Sequence, residues 1–380
     1  MQIDRRTLAF GAISVGVLAA GGYYLYTENQ LDQRYGVVEL GSGGAKWSVI
    51  AFQRAQLERT ASRGPQAAET GVRLSRYRRV ELEAGDFPID VRDPSKQDEV
   101  VQAVRDAIEA VAHHGADGRY VVVGSSSISS VEGWDALKAK LQQLVFERTR
   151  RDFVAVTVEQ EVEYLFRWVI PNEDRERSSV IDVGSGNIKG AHLVAGGNNR
   201  FDHLQINDGV STIAREARGR VQGDDIAQAL SEKCENTLAQ TFRSREGQGL
   251  IQPITYIAGG ACWAMTSVIH PLEIENNESW VQVTADDIAR YHALVFHDPS
   301  LESVLASYAP GSTEWQRISD VKRAFENPDR ILAGAEILRT LSRELDFDGN
   351  REHWIYFTKD GQFAWSTMHL LSELRLEQMA

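Results

Sequence analysis

The sequence predicts an α/β protein of two domains with a cleft between them, preceded by an apolar N-terminal helix. Three observations carry this. An acid-then-glycine turn between apolar runs occurs twice, at residues 35–51 and 178–194. Short apolar runs alternate with amphipathic, helix-like stretches, as in α/β layers. The length of 380 residues suggests two domains, each large enough for its own core. The expected partition is an anchor or signal with its tether at 1–34, a first domain at 35–175 and a second at 176–380, whose closing helix can pack back on the first.

Composition is that of an ordinary globular chain, 42% hydrophobic and 25% charged. A net charge of −13 argues against strong non-specific nucleic-acid binding. The two cysteines, Cys234 and Cys262, lack any CxxC spacing and read as small buried hydrophobes.

Thr7 to Tyr26 carries no charge and is flanked by Arg5 and Arg6, with Tyr23, Tyr24 and Tyr26 at its end. Such a run is about long enough for one membrane span, and tyrosines suit the interface. Three readings compete. A single-pass N-terminal anchor, which makes this a membrane protein, is preferred. A cleaved signal is second, because Arg5-Arg6-Thr-Leu is similar to a twin-arginine signal, though no clear A-x-A site follows. A buried helix is third. The positive-inside rule puts the body outside, whereas a nucleotide-binding body suits the cytoplasm, so the side stays open.

In chain order, Tyr35-Gly-Val-Val-Glu-Leu-Gly-Ser-Gly-Gly reads as a strand ending in a glycine turn, and Ala45 to Ala51 as its return strand. Residues 53–71 form a polar, basic loop. Val72 to Glu83, with Arg73, Arg76, Arg78 and Arg79, reads as a solvated edge strand or a polyanion-binding strip. Lys96 to His113 has helical periodicity through Val100, Val104, Ile108 and Val111. Tyr120–Gly124 is a buried strand running into a serine cluster at 125–130. A helix follows over 133–149, then a strand at Phe153–Thr157. Thr157 caps a helix with acids in its first turn. The second half opens with Ser178-Ser-Val-Ile-Asp-Val-Gly-Ser-Gly-Asn-Ile-Lys-Gly. Helical stretches lie at 212–219 and 224–243. Pro253–Met265 is a strand, a glycine pair and a helix. Residues 272–325 are polar and helical with weak signals. Asn327-Pro-Asp opens a capped helix. A strand at Trp354–Thr358 and a helix over 366–376 close the chain.

The two turns suggest chemistry. Small residues with free backbone N–H groups let a phosphate approach closely. A carboxylate at the strand end, Glu39 or Asp182, can hold a metal ion that the phosphate shares.

With these segments in order, the chain resembles the actin-like (ribonuclease H-like) ATPase superfamily, whose members have two α/β domains and an interdomain cleft. Within it the chain looks like the exopolyphosphatase and guanosine pentaphosphate phosphohydrolase family (Ppx/GppA). Val37-Val-Glu-Leu-Gly-Ser is similar to that family's first phosphate loop. Val121-Val-Val-Gly-Ser-Ser-Ser is similar to its Gly-Thr segment. Val156-Thr-Val-Glu-Gln-Glu-Val-Glu-Tyr-Leu-Phe is similar to its Ile-Ser-Gly-x-Glu-Glu helix start. Asp329-Arg-Ile-Leu-Ala-Gly-Ala-Glu-Ile-Leu is similar to a late helix. The match spans residues 36–375, with 272–325 poorly covered.

The resemblance implies a hydrolase acting on phosphoanhydrides, with Glu161 as the base that orients water and Mg²⁺ held by Asp182 and Glu39. Backbone amides of Gly41, Ser42, Gly43 and Gly44, and of Gly184, Ser185, Gly186 and Asn187, would cradle phosphates. Gly259 and Gly260 would stand near the nucleoside or the far end of the phosphate chain. Polyphosphate or a phosphorylated guanosine nucleotide is the implied partner, with a homodimer left open. Three positions depart from the family pattern: Glu39 stands for Asp, Ser129 for Arg, and Lys189 for an acid, where it could contact phosphate instead. Those departures motivate a second reading, a membrane-tethered, non-catalytic phospholigand sensor or scaffold. A kinase or actin-like ATPase is a third.

Overall fold

The computed structural model describes residues 33–54, 77–129, 131–194, 200–221, 226–275, 280–348, 353–359 and 361–374. They build two sheets. The first joins β1 (Tyr35–Gly41), β2 (Gly44–Arg54), β3 (Tyr77–Pro88), β4 (Tyr120–Gly124) and β5 (Val154–Ala155) in the order β3-β2-β1-β4-β5. The second joins β6 (Ser178–Val183), β7 (Ile188–Leu193), β8 (Phe201–Ile206), β9 (Ile254–Ala258), β10 (Trp280–Val283) and β11 (Trp354–Thr358) in the order β10-β11-β9-β6-β7-β8.

The sheets repeat one plan. β1, β2 and β3 form an antiparallel meander, and β4 and β5 continue parallel to β1. Likewise β6, β7 and β8 form a meander, and β9 and β11 continue parallel to β6; β10 adds an antiparallel edge. Strands covered on both faces read as near-continuous apolar runs. Tyr120-Val-Val-Val-Gly and Ile254-Thr-Tyr-Ile-Ala are accordingly buried throughout.

Helices α1 (Gln97–Val111) and α2 (Trp134–Thr149) cover the first sheet. The α1 stripe of Val100, Val104, Ile108 and Val111 packs with Val38, Leu40 and Val49. Helix α3 (Val158–Val169) lies in the 35–175 segment, yet its apolar face (Val162, Leu165, Phe166) packs on the second sheet with Val180, Ala191 and Tyr256. Helices α4 (Val210–Arg220), α5 (Ile226–Cys234), α6 (Gly260–Ile269), α7 (Ala285–His297), α8 (Thr313–Ala324) and α9 (Pro328–Glu344) contribute to the main core of the second domain. The closing helix α10 (Gly361–Glu373) returns to the first sheet, where Met368, Leu370 and Leu371 meet Tyr35, Val37 and Ile50. Helix α10 also packs along α3, so the two form the seam between the domains.

Among the described residues no helix is long and apolar enough to cross a membrane. This corrects the expected single-pass membrane placement, which no described helix can supply. The stretch Thr7 to Tyr26 on which it rested lies outside the described residues. Of the arginine strip, Arg73 and Arg76 lie outside them too, while β3 is an edge strand as expected. Cys234 and Cys262 are buried and free.

Candidate functional site

Each glycine turn closes a hairpin, and each hairpin sets an acid opposite a lysine. Glu39 on β1 pairs in register with Lys46 on β2, and Asp182 on β6 with Lys189 on β7. Residues directly opposite in an antiparallel pair share one face. In the first hairpin Gly41 faces Gly44, whose φ of 128° and close approach to the Phe87 carbonyl require glycine. The Ser42 and Gly43 carbonyls accept hydrogen bonds from Val91 N (3.3 Å) and Ile89 N (3.2 Å).

The second turn is tied differently. Gly184 N donates to Asn187 O at 3.0 Å, and the carbonyls of Gly184, Ser185 and Gly186 accept from the backbone N–H groups of Val210, Ser211 and Gly209. The loop thus caps α4, and the first amides of that helix point at the loop. The Ser185 and Ser211 hydroxyls bond at 2.7 Å.

The turns meet across the cleft. A Cβ on Gly186 would stand 2.7 Å from Ser42 Oγ and 3.5 Å from Ser127 Cβ. Asn187 Nδ2 donates to Ser126 Oγ at 3.3 Å. Ser126 opens a short 3-10 turn after β4, and its N–H donates to Glu161 Oε2 at 2.9 Å. Glu161 stands in the first turn of α3. That helix is started by a capping box, with Gln160 N donating to Thr157 Oγ1 and Thr157 N donating to Gln160 Oε1. The other Glu161 oxygen, Oε1, accepts from Lys189 Nζ, which also lies 3.3 Å from Asp182 Oδ2. The Lys189 and Glu161 side chains are 4% and 2% exposed, so this ion pair is sealed from solvent.

Charge follows from this packing. Desolvation opposes the Lys189 ammonium, but the Glu161 and Asp182 carboxylates beside it win and hold its pKa above the ordinary lysine value. Burial raises the Asp182 pKa, and Lys189 only partly offsets this. Burial also pushes Glu39 up to about 7, against the pull of Lys46 and a hydrogen bond with Ser366 of α10. Glu39 itself keeps partial solvent contact.

Glu39, Ser42, Glu161, Asp182, Gly186, Asn187 and Lys189 therefore converge on one cleft, lined by elements of both sheets. Gly41 lies 3.8 Å (from its would-be Cβ) from Ser125 Oγ, at the same mouth. Gly259 has a φ of 95°, and a Cβ there would lie 2.6 Å from Asp182 Oδ1, so this glycine seats the Asp182 carboxylate. Beside it, a Cβ on Gly260 would meet Phe325 Cζ at 3.9 Å, an ordinary contact. Ser129, where the family pattern has arginine, donates to its own turn at Ser126 O (2.8 Å). Lys46, Ser126 and Ser366 are site residues that reading the sequence missed. Lys46 had a signal: it follows Glu39 at the spacing at which Lys189 follows Asp182.

The residues present do not fit Mg²⁺. A magnesium site needs oxygen donors arranged around the ion. Here both Glu161 oxygens are engaged, and an ammonium lies between that carboxylate and Asp182. Among the described residues no group of three or more His, Cys, Asp or Glu side chains is arranged to hold a metal ion.

The sequence matches no protein-family model, and no curated protein matches it. Solved structures do match. An Aquifex aeolicus member of the Ppx/GppA family superposes with a TM-score of 0.58 at 12% identity, covering 91% of this chain and 98% of that one. An exopolyphosphatase from Cytophaga hutchinsonii gives 0.56 at 12% identity, covering 89% and 98%. The type II variant of the Aquifex aeolicus Ppx/GppA phosphatase gives 0.55 at 12% identity, covering 90% and 99%. At such identities the match is one of fold, and it runs nearly end to end. The chain has the two-domain fold of the Ppx/GppA phosphatases.

Proposed function

We propose that the cleft binds the end of a phosphoanhydride, polyphosphate or a hyperphosphorylated guanosine nucleotide, and releases terminal phosphate by hydrolysis. The observation that carries this is the position of Glu161. It stands where the two glycine turns meet, held by a backbone N–H of one domain and a lysine of the other. In the step proposed, a water oxygen attacks the terminal phosphorus and Glu161 takes its proton. The bond from that phosphorus to the bridging oxygen breaks, and the electron pair leaves with the shortened chain. Such transfer needs mainly positioning and charge stabilisation. Amides of the Gly41–Gly44 turn and of Ser185, Gly186 and Asn187 would supply donors, the Gly184 N–H being already held by Asn187 O, and Glu161 Oε1 must exchange its ion pair for water.

The test is phosphate release by the full chain from polyphosphate, guanosine pentaphosphate and ATP, beside Glu161→Gln. The expected result is multiple turnover that Glu161→Gln abolishes while the far-ultraviolet dichroism is kept. Undiminished turnover in that variant removes Glu161 from the role of base. A second reading, ligand binding without turnover, is favoured by one observation: both Glu161 oxygens already have partners. Saturable binding with no phosphate released on any of the three substrates selects it.

A further inference from the structure

We propose that Lys189 is a built-in counter-ion, standing between Asp182 and Glu161 where a divalent cation would otherwise sit, and that the cleft binds phosphoanhydride without metal. The second half rests on the function proposed above; the first stands on the geometry alone.

Three features support it. Lys189 Nζ bridges two carboxylates from different elements, Glu161 on α3 and Asp182 on β6. A cation bound there would meet the ammonium at contact distance and would have to displace it from a sealed pocket. Both Glu161 oxygens are also engaged, and Asp182 Oδ1 is closed in on one side. Glu161 Oε2 accepts from Ser126 N, and Asp182 Oδ1 lies against Gly259 with no room for even a methyl group. Finally, cationic charge is already supplied. Lys189 and Lys46 are the ammonium groups that act on the site's three carboxylates, Glu39, Glu161 and Asp182. Lys189 is sealed, so it acts by cancelling the Glu161 and Asp182 charge that would repel an incoming phosphate, while the exposed Lys46 can meet phosphate as a compact point charge.

Two measurements on the full chain test this. In the first, Mn²⁺, a paramagnetic probe of magnesium-type sites, is titrated in alone and its free-ion resonance signal followed. No uptake assigned to the cleft is expected from the wild type. Lys189→Glu, which places an oxygen donor where the ammonium stood, should take up Mn²⁺ and melt higher in its presence. Stoichiometric uptake by the wild type that Asp182→Asn removes would overturn the counter-ion. Uptake that survives Asp182→Asn lies elsewhere and upholds it. If Lys189→Glu does not fold, the wild-type titration still decides. In the second, tripolyphosphate is titrated calorimetrically in EDTA. Saturable binding is expected, weakened on the order of tenfold or more by Lys189→Met. Binding that needs added Mg²⁺ would overturn metal independence. No binding under either condition sinks the proposed function, while the Mn²⁺ result continues to judge Lys189.

Discussion

The two hairpins are the same device with different outcomes. Each places a lysine opposite an acid on the neighbouring strand, Lys46 against Glu39 and Lys189 against Asp182. Lys46 stays exposed, and Glu39, left to the surrounding protein, is pushed up to about 7. Lys189 is sealed in, because α3 lays a second carboxylate, Glu161, over the second hairpin. Strand register decides which residues face each other; a third element decides whether the pair is a solvated contact or a buried ion network. The charge of the cleft is thus set by where α3 packs, its Val162, Leu165 and Phe166 face on the second sheet.

The comparison breaks most sharply at the lysines. Lys189→Met strands the buried Glu161 carboxylate and the partly buried Asp182 and is expected to cost about 3–5 kcal/mol. Lys46→Met should stay within about 0.5 kcal/mol, as surface substitutions do. Denaturant melts of both variants measure the contrast. Adding Glu161→Gln to Lys189→Met should recover much of the loss, since removing both partners leaves less charge unpaired. Equal costs for the two lysines would mean that Lys189 is solvated.

The turns themselves give the next effect. Gly44→Ala must adopt a positive φ and drive its methyl group into the Phe87 carbonyl, 2.3 Å away, whereas Gly43 has nothing within 4 Å. Gly44→Ala is expected to destabilise by about 2–3 kcal/mol through overpacking and strain. Gly43→Ala should be near neutral. Thermal melts of the pair show whether the first turn is held as tightly as its contacts with β3 imply.

Much of the fold was legible in the sequence because its signals are local. The duplicated acid–glycine turns, the α1 stripe at Val100, Val104 and Ile108, the capped start of α3 and the buried run at β4 are all short-range patterns. Strands β8 and β10 were not legible. Phe201-Asp-His-Leu-Gln-Ile has polar residues on both faces, Asp202 on one and His203 and Gln205 on the other, and Trp280-Val-Gln-Val is four residues long; both are edge strands chosen by their sheet neighbours. The site was legible in part. Glu161, Asp182 and Lys189 could be singled out, but not the ion pair that joins them, because it depends on α3 crossing to the other sheet. Ser366 reaches Glu39 from the far end of the chain, and no local pattern announces that contact.

Glu39 supplies the smallest of these effects and sharpens the comparison by pH. Its ordinary value is 4.5, and the fold raises it to about 7. Between those values the folded chain holds a proton that the unfolded chain has released, so unfolding free energy falls as pH rises from about 4.5 to 7 and levels off above. The loss is on the order of 2 kcal/mol, given that the side chain keeps some solvent contact. Glu39→Gln, neutral at every pH, should flatten this part of the profile. A residual slope of the same sign should remain from Asp182, whose pKa burial also raises. Denaturant midpoints at pH 5, 6, 7 and 8 separate the two hairpins. If Glu39→Gln leaves the wild-type slope unchanged, the Glu39 carboxyl is ionised in the fold, and Lys46 offsets the burial of its partner fully, as Lys189 does not for Asp182.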